Sequence, residues 1–216
     1  TLSLFAIAMA YLESAFVVYL RGIYYRDGFD FPLKEGDIRT YVIELGRELA
    51  TLVMLGTIAR VSASTGWGRF AWFAYLFGVW DTWYYIWLKV FLDWPASLLT
   101  WDVLFLIPIV WIGPVLAPVL VSLLLVVGSV RAFQVLDQGG AIVVDRVDWI
   151  VDTTGALIIL YTFMIDMALV SLEGGVKAVT SYVPESYNWP LFLLGLALMA
   201  SSALQIDRRS RDKVPR

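Results

Sequence analysis

The chain alternates between long apolar segments and short connections that are charged or rich in glycine and proline. A helix rises about 1.5 Å per residue, so about 20 apolar residues are needed to cross the hydrocarbon of a membrane. Six segments approach or exceed this length, at residues 2–25, 41–60, 70–91, 115–130, 147–172 and 189–206. The pattern therefore predicts an all-α fold, a polytopic integral membrane bundle of about six transmembrane helices.

The connection between the third and fourth segments is unusual because it is both apolar and rich in proline. Its prolines are Pro95, Pro108, Pro114 and Pro118. Proline is tolerated in the first turn of a helix but ends or kinks a helix further along. Residues 95–107 are too few to cross a membrane, so the sequence predicts a broken or re-entrant half-helix that enters the membrane and turns back.

The segments predict one transmembrane domain over residues 1–206 and a polar cytoplasmic tail over residues 207–216. Basic residues in short loops mark the cytoplasmic side of a membrane protein. Lysines and arginines are in excess on the side that carries both termini, largely because of the C-terminal stretch RRSRDK. We therefore expect both termini to be cytoplasmic, in a bacterial inner membrane.

Composition narrows the classes of protein further. Hydrophobic residues make up 60% of the chain and charged residues 16%, which does not suit a water-exposed globular surface. The net charge of -3 provides no basic surface for nucleic acid. The chain has no cysteine and no histidine, so the usual ligands of haem, iron–sulfur clusters and zinc are missing, as are thiol nucleophiles and Ser-His-Asp triads. We expect no cofactor and no catalytic centre of the chain's own.

An acid lies in the middle of the third apolar segment, in the stretch GVWDTWYYIWLKVF that contains Asp81. A carboxylate in hydrocarbon costs about 2.5–3.5 kcal/mol on insertion scales, so Asp81 is expected to face a polar interior. Tyr84 and Tyr85 follow on the same helical face, where their hydroxyls can share a proton with Asp81. We expect Asp81 to be protonatable, with Glu13 on the first helix as its relay partner.

Several acids are predicted at a similar depth and form a group that handles protons or a cation: Glu13, Glu44, Glu48, Asp81, Asp102 and Asp166. Glu44, Arg47 and Glu48 share one face of the second helix, because their spacing is i, i+3 and i+4. Arg47 is therefore predicted as the counter-ion. The alternative is that these acids only form structural ion pairs with basic residues. Such pairing does not require more acids than bases. Surplus buried carboxylates instead hold protons or bind a cation.

Aromatic residues are frequent, with 10 Trp and 11 Tyr, and many lie near the ends of the segments. Most are typical of the interfacial belts of membrane proteins. Four of them crowd around Asp81, namely Trp80, Trp83, Tyr84 and Tyr85. They form a flat slot that suits a quinone headgroup or a lipid. The sequence leaves open a quinone, a lipid or a hard divalent cation as ligand, and it does not identify a metal.

Three functions remain open. The first is an accessory subunit of a larger, energy-converting membrane complex, whose buried carboxylates handle protons or a cation. The second is an independent small transporter or channel coupled to protons or cations. The third is a membrane enzyme that uses an oxygen-liganded metal or modifies lipids. The first is favoured because the connections are short and carry no nucleotide-binding loop, so membrane lipid and other membrane subunits are the expected partners.

Overall fold

The protein is described by a computed structural model over residues 1–26 and 28–212. This part of the chain forms six helices and one short two-stranded sheet. The helices are α1 (Leu2–Tyr24), α2 (Ile38–Ser62), α3 (Gly66–Leu92), α4 (Leu116–Asp137), α5 (Arg146–Val179) and α6 (Trp189–Arg211). The strands are β1 (Trp101–Phe105) and β2 (Trp111–Pro114). The predicted helical fold is confirmed.

Within residues 1–26 and 28–212, four helices are long and apolar enough to cross a membrane: α1, α4, α5 and α6. This finding is consistent with the predicted membrane protein. The helix α2 is less apolar because it carries Glu44, Arg47 and Glu48 in its first half. The helix α3 is rich in Trp and Tyr, whose polar groups lower its hydropathy.

Polar residues in the connections determine where several helices begin. The side chain of Asp37 accepts the Thr40 N–H at 2.8 Å and caps α2. Thr65 caps α3 in the same way, and Asp145 caps α5 together with Asp148. Such caps satisfy backbone N–H groups that have no partner inside the helix. The breaks between helices therefore follow the polar positions of the sequence.

The predicted half-helix between α3 and α4 is wrong, because the chain forms an antiparallel β-hairpin there. In this hairpin Asp102 pairs with Gly113, and the register shifts between Val103 and Phe105. Buried backbone N–H and C=O groups need hydrogen-bond partners, and the two strands supply them to each other across the hairpin. Pro108 lies in the turn, where the missing N–H is not needed, while β1 contains Trp, Val and Phe, which favour strands.

The helix α3 lies at the centre of the first half of the bundle and packs against α1, α2 and α4. A buried cluster joins α1, α2 and α3 and includes Ala6, Leu55 and Leu76. In the second half, α5 packs along α6, and a cluster around Phe163 and Phe192 joins them to α4. The hairpin contacts α4 and α5 through β2, so it closes one end of the bundle.

Glycines allow two pairs of helices to approach closely. A Cβ atom at Gly78 of α3 would lie 2.6 Å from the carbonyl oxygen of Ser122 on α4. A Cβ atom at Gly155 of α5 would lie 2.7 Å from the carbonyl oxygen of Gly195 on α6. Small residues at such contacts let backbones of membrane helices pack tightly.

Helix α6 continues to Arg211, so residues 207–211 of the predicted polar tail are helical. Its last turns are tied to the bundle by ion pairs. Arg209 contacts Asp148 on α5 at 2.5 Å, and Asp207 contacts Arg131 on α4 at 3.0 Å. Residues 213–216 of the predicted tail lie outside the described residues.

Candidate functional site

A cavity of about 880 Å³ lies between α1, α2, α3, the hairpin and the C-terminal part of α5. Its walls come from the C-terminal ends of α1 and α5, the second half of α3 and the first half of α2, so these parts lie at the same end of the bundle. We call it the acidic cavity, because seven acids line it. Glu35 and Asp37 lie in the connection before α2, and the other five are Glu13, Glu44, Glu48, Asp81 and Asp102.

Nine of the 11 site residues predicted from the sequence line the acidic cavity. Besides the five acids, they are Arg47, Trp80, Tyr84 and Tyr85. The two that do not line it are Asp166 and Trp83. The fold therefore brings most of the predicted residues together, although they come from four separate elements.

Arg47 holds the largest ionic cluster of the acidic cavity. Its guanidinium contacts the carboxylate of Glu13 on α1 and lies 2.5 Å from the carboxylate of Glu44 on its own helix. The hydroxyl of Thr51 donates to the second oxygen of Glu13 at 3.2 Å. Arg47 therefore pairs with two acids and joins α1 to α2.

The spacing along α2 suggested Arg47 as the partner of Glu48, but Glu48 has a different partner. Its carboxylate accepts the backbone N–H of Leu106 in the hairpin turn at 3.0 Å. Among the described residues no cationic side chain lies within ion-pairing distance of Glu48. This nearly buried acid therefore connects α2 to the hairpin without a counter-ion.

Asp81 is hydrogen-bonded to a serine that the sequence analysis missed. Its carboxylate accepts from the hydroxyl of Ser122 on α4 at 2.8 Å. The close approach of α3 and α4 at Gly78 brings Ser122 within reach. Tyr84 and Tyr85 were predicted to share the proton of Asp81, but in the described part of the chain neither hydroxyl is hydrogen-bonded to it. Tyr85 lies beside Asp102 instead.

Asp102 forms an ion pair with Arg21, which the sequence analysis did not identify as a site residue. The Nη2 atom of Arg21 donates to Oδ1 of Asp102 at 3.2 Å, and both side chains are buried. The guanidinium also lies over the rings of Trp94 and Phe29, with its central carbon 3.8 Å and 4.5 Å from the ring centroids. Aromatic faces stabilise a cation in this position.

Some buried polar atoms around this pair have no hydrogen-bond partner within residues 1–26 and 28–212. They are Nη1 of Arg21, Oδ2 of Asp102 and the indole nitrogens of Trp80 and Trp94. Most buried polar groups in proteins are hydrogen-bonded, so this local concentration of unpaired atoms is uncommon.

Asp166 and Trp83 lie elsewhere. The carboxylate of Asp166 on α5 accepts a hydrogen bond from the hydroxyl of Tyr182 at 3.2 Å. Tyr182 lies in the connection that follows α5. Burial and the negative charge of Asp166 raise the pKa of Tyr182 to about 12. Trp83 packs with the aromatic residues between α1 and α3, 5.8 Å from Trp87 between ring centroids. Position along one helix does not determine which neighbouring element each of these side chains faces.

The acids of the cavity are spread along its walls. Nowhere in the described part of the chain do three acidic side chains come close enough to form a metal-binding group. A hard divalent cation needs six or more oxygen ligands, several of them usually carboxylates. The arrangement therefore gives no support to a site built from carboxylates around one metal ion.

Known proteins add no assignment to this site. No known family matches the chain, and comparison with curated proteins and with solved structures also gives no match. The function is therefore argued from the acidic cavity and its contacts.

Proposed function

We propose that the chain is a six-span membrane protein whose acidic cavity exchanges protons, and that it serves as an accessory subunit of a larger membrane assembly. The observation that carries this proposal is the position of the five cavity acids that were predicted from the sequence. They belong to α1, α2, α3 and β1, yet they line one cavity. Such a set can pass protons between neighbouring carboxyls.

The charge balance of the cavity favours protons as the exchanged species. The seven acids that line the cavity outnumber its three cationic side chains, which are Arg21, Lys34 and Arg47. Unpaired carboxylates are costly in a membrane interior, so they become neutral by binding a proton or a cation. Because the acids do not converge on one point, protonation of separate carboxyls explains the surplus better than a single bound cation.

Lengths and packing support six spans. The helices α2 and α3 have 25 and 27 residues, which corresponds to about 38 and 40 Å and exceeds a hydrocarbon core of about 30 Å. The helix α3 packs between α1 and α4, two of the apolar spans. On this proposal the charged residues of α2 face the cavity, both termini are cytoplasmic in a bacterial inner membrane, and the acidic cavity lies towards the opposite side.

The absence of histidine and cysteine supports an accessory role, because redox centres would need ligands from other chains. Purification from native membranes in mild detergent tests this role. We expect other membrane subunits to co-elute with the chain. A homogeneous homo-oligomer without them would favour the alternative of an independent proton-coupled transporter.

The proton-exchange role is tested with Asp81→Asn in the assembly. Asparagine keeps the size of the side chain and can still accept from Ser122, but it cannot exchange a proton. We expect normal assembly and a lower rate of proton-coupled turnover, while Asp81→Glu retains part of the rate. If Asp81→Asn matches the wild type at every pH, Asp81 has only a packing role.

A further inference from the structure

The ion pair between Arg21 and Asp102 makes one hydrogen bond where the two groups have the shape for two. A guanidinium and a carboxylate often pair through two parallel bonds. Here Nη2 bonds to Oδ1 at 3.2 Å, while Nη1 and Oδ2 have no partner among the described residues. Both side chains are more than nine-tenths buried, with 9% and 2% of their surface exposed.

The surroundings fix this geometry. The guanidinium of Arg21 is held between the rings of Trp94 and Phe29. Asp102 is held by β1, whose register pairs it with Gly113. Both side chains belong to the wall of the acidic cavity. A ligand that enters the cavity can supply partners for both atoms, since Arg21 and Asp102 both line it.

We propose that Arg21 and Asp102 form a binding subsite for the hydroxyl group of a membrane-soluble amphiphile, which inserts between Nη1 and Oδ2. A hydroxyl oxygen accepts from Nη1 while its hydrogen is donated to Oδ2, so one group pairs both atoms. The ion pair has no net charge, so the matching head is uncharged. The chemistry is that of a quinol or a lipid alcohol, whereas a quinone lacks the donor.

The cavity provides room for the rest of such a molecule. Its volume of about 880 Å³ lies in the range of about 300–1,000 Å³ that is usual for small-molecule sites. The helices α2 and α5 both line it, but in the described part of the chain they are not among the helix pairs that pack along each other. Val176 of α5 lines the cavity and is also exposed on the outer surface. An apolar chain can therefore leave between α2 and α5 towards lipid.

Binding to the purified protein tests this subsite, which uses the cavity of the proposed function but does not require proton exchange. The probes are decylubiquinol, decylubiquinone and dioctanoylglycerol, and the readout is the rise in thermal unfolding temperature with ligand concentration. We expect saturable stabilisation by decylubiquinol or by dioctanoylglycerol, and weaker stabilisation by decylubiquinone. The first two probes distinguish a quinol from a lipid alcohol.

Two variants connect binding to the ion pair. Arg21→Lys keeps a positive charge opposite Asp102 but lacks the second amino group of the guanidinium. Asp102→Asn keeps the size of the side chain but removes its charge. Each should weaken binding about 10- to 100-fold, as expected for a hydrogen bond to a charged group. Trp83→Phe, which lies outside the cavity, is the control and should bind like the wild type.

Three outcomes would overturn the subsite. They are no saturable binding of either hydroxylated probe, saturable binding of decylubiquinone as tight as that of decylubiquinol, and unchanged binding by a folded Arg21→Lys protein. Proton exchange is measured separately on Glu48 and Asp81, so a failure of the subsite does not imply a failure of the proposed function. The reverse also holds, because binding is read from thermal unfolding and not from proton exchange on Glu48 or Asp81.

Discussion

At the scale of single residues, Arg47 determines whether two acids of the cavity are paired. Its guanidinium contacts Glu13 on α1 and Glu44 on its own helix, α2. About four-fifths of its side chain is buried. Removing one partner of a buried ion pair leaves an uncompensated charge and typically costs about 3–5 kcal/mol. Arg47 therefore stabilises the contact between α1 and α2.

We predict that Arg47→Leu lowers the free energy of unfolding in detergent by about 3 kcal/mol, because Glu13 and Glu44 lose their counter-ion. The double variant Arg47→Leu/Glu13→Leu should recover part of this loss. The matched control is Arg47→Leu/Glu48→Leu, which should not recover it, because Glu48 is bonded to the backbone of Leu106. Additive effects of the Arg47 and Glu13 substitutions would show that the two residues are not coupled.

Individual site residues could be predicted from the sequence where their immediate sequence neighbours are informative. A charged residue inside an apolar run is visible in the sequence, so Glu13 and Asp81 could be identified from their position alone. Their partners could not be identified in this way. Ser122 lies 41 residues from Asp81, and Arg21 lies 81 residues from Asp102. No helical spacing connects such pairs, because the contacts depend on how separate elements pack.

At the scale of elements, glycine contacts determine how closely helices approach. The backbones of α5 and α6 meet where Gly155 faces Gly195, and a Cβ atom at Gly155 would also lie 2.8 Å from the side chain of Met199. Gly128 of α4 provides a contrast, because nothing lies within 4 Å of a Cβ atom built there. The same substitution should therefore have opposite effects at the two positions.

We predict that Gly155→Ala destabilises the protein by about 1–3 kcal/mol, because α5 and α6 must move apart. Gly128→Ala should be neutral or stabilising by up to about 1 kcal/mol, since alanine favours a helix more than glycine does. Thermal unfolding of both variants in the same detergent measures the difference. Equal destabilisation at both positions would contradict the close approach of α5 and α6.

The hairpin shows where prediction of elements fails. Prolines at 95, 108, 114 and 118 correctly indicated that no continuous helix joins α3 to α4, and Pro118 lies in the first turn of α4. Whether the intervening residues form a half-helix or two strands depends on what satisfies their backbone groups. Here the two strands hydrogen-bond to each other's backbone groups. The Leu116 N–H also donates to the Leu98 carbonyl at 2.8 Å. In so short a stretch, strand pairing produces no periodic pattern of apolar and polar residues in the sequence.

At the scale of the whole molecule, the order of the elements implies that connections alternate between two sides. The connection after α1 and the hairpin both border the acidic cavity. The connection between α2 and α3 should lie on the other side if both helices cross the membrane.

Cysteine labelling tests this topology without background, because the chain has no native cysteine. Gly36→Cys, Ser64→Cys and Ala96→Cys introduce thiols at exposed positions before α2, between α2 and α3, and after α3. A membrane-impermeant maleimide should label Gly36→Cys and Ala96→Cys from one side and Ser64→Cys from the other. Labelling of all three from one side would show that α2 and α3 do not cross.

The central claim is that unpaired carboxyls of the acidic cavity exchange protons, and infrared titration of the purified protein tests it most directly. A protonated carboxyl has a C=O stretching band that a carboxylate lacks. We predict such bands near neutral pH in the wild type, lost in part in Glu48→Gln and in Asp81→Asn. They should be unchanged in the control Asp137→Asn, whose acid is exposed at the end of α4. If the spectra of Glu48→Gln and Asp81→Asn match the wild type at every pH, the cavity does not hold exchangeable protons on these acids and the account is contradicted.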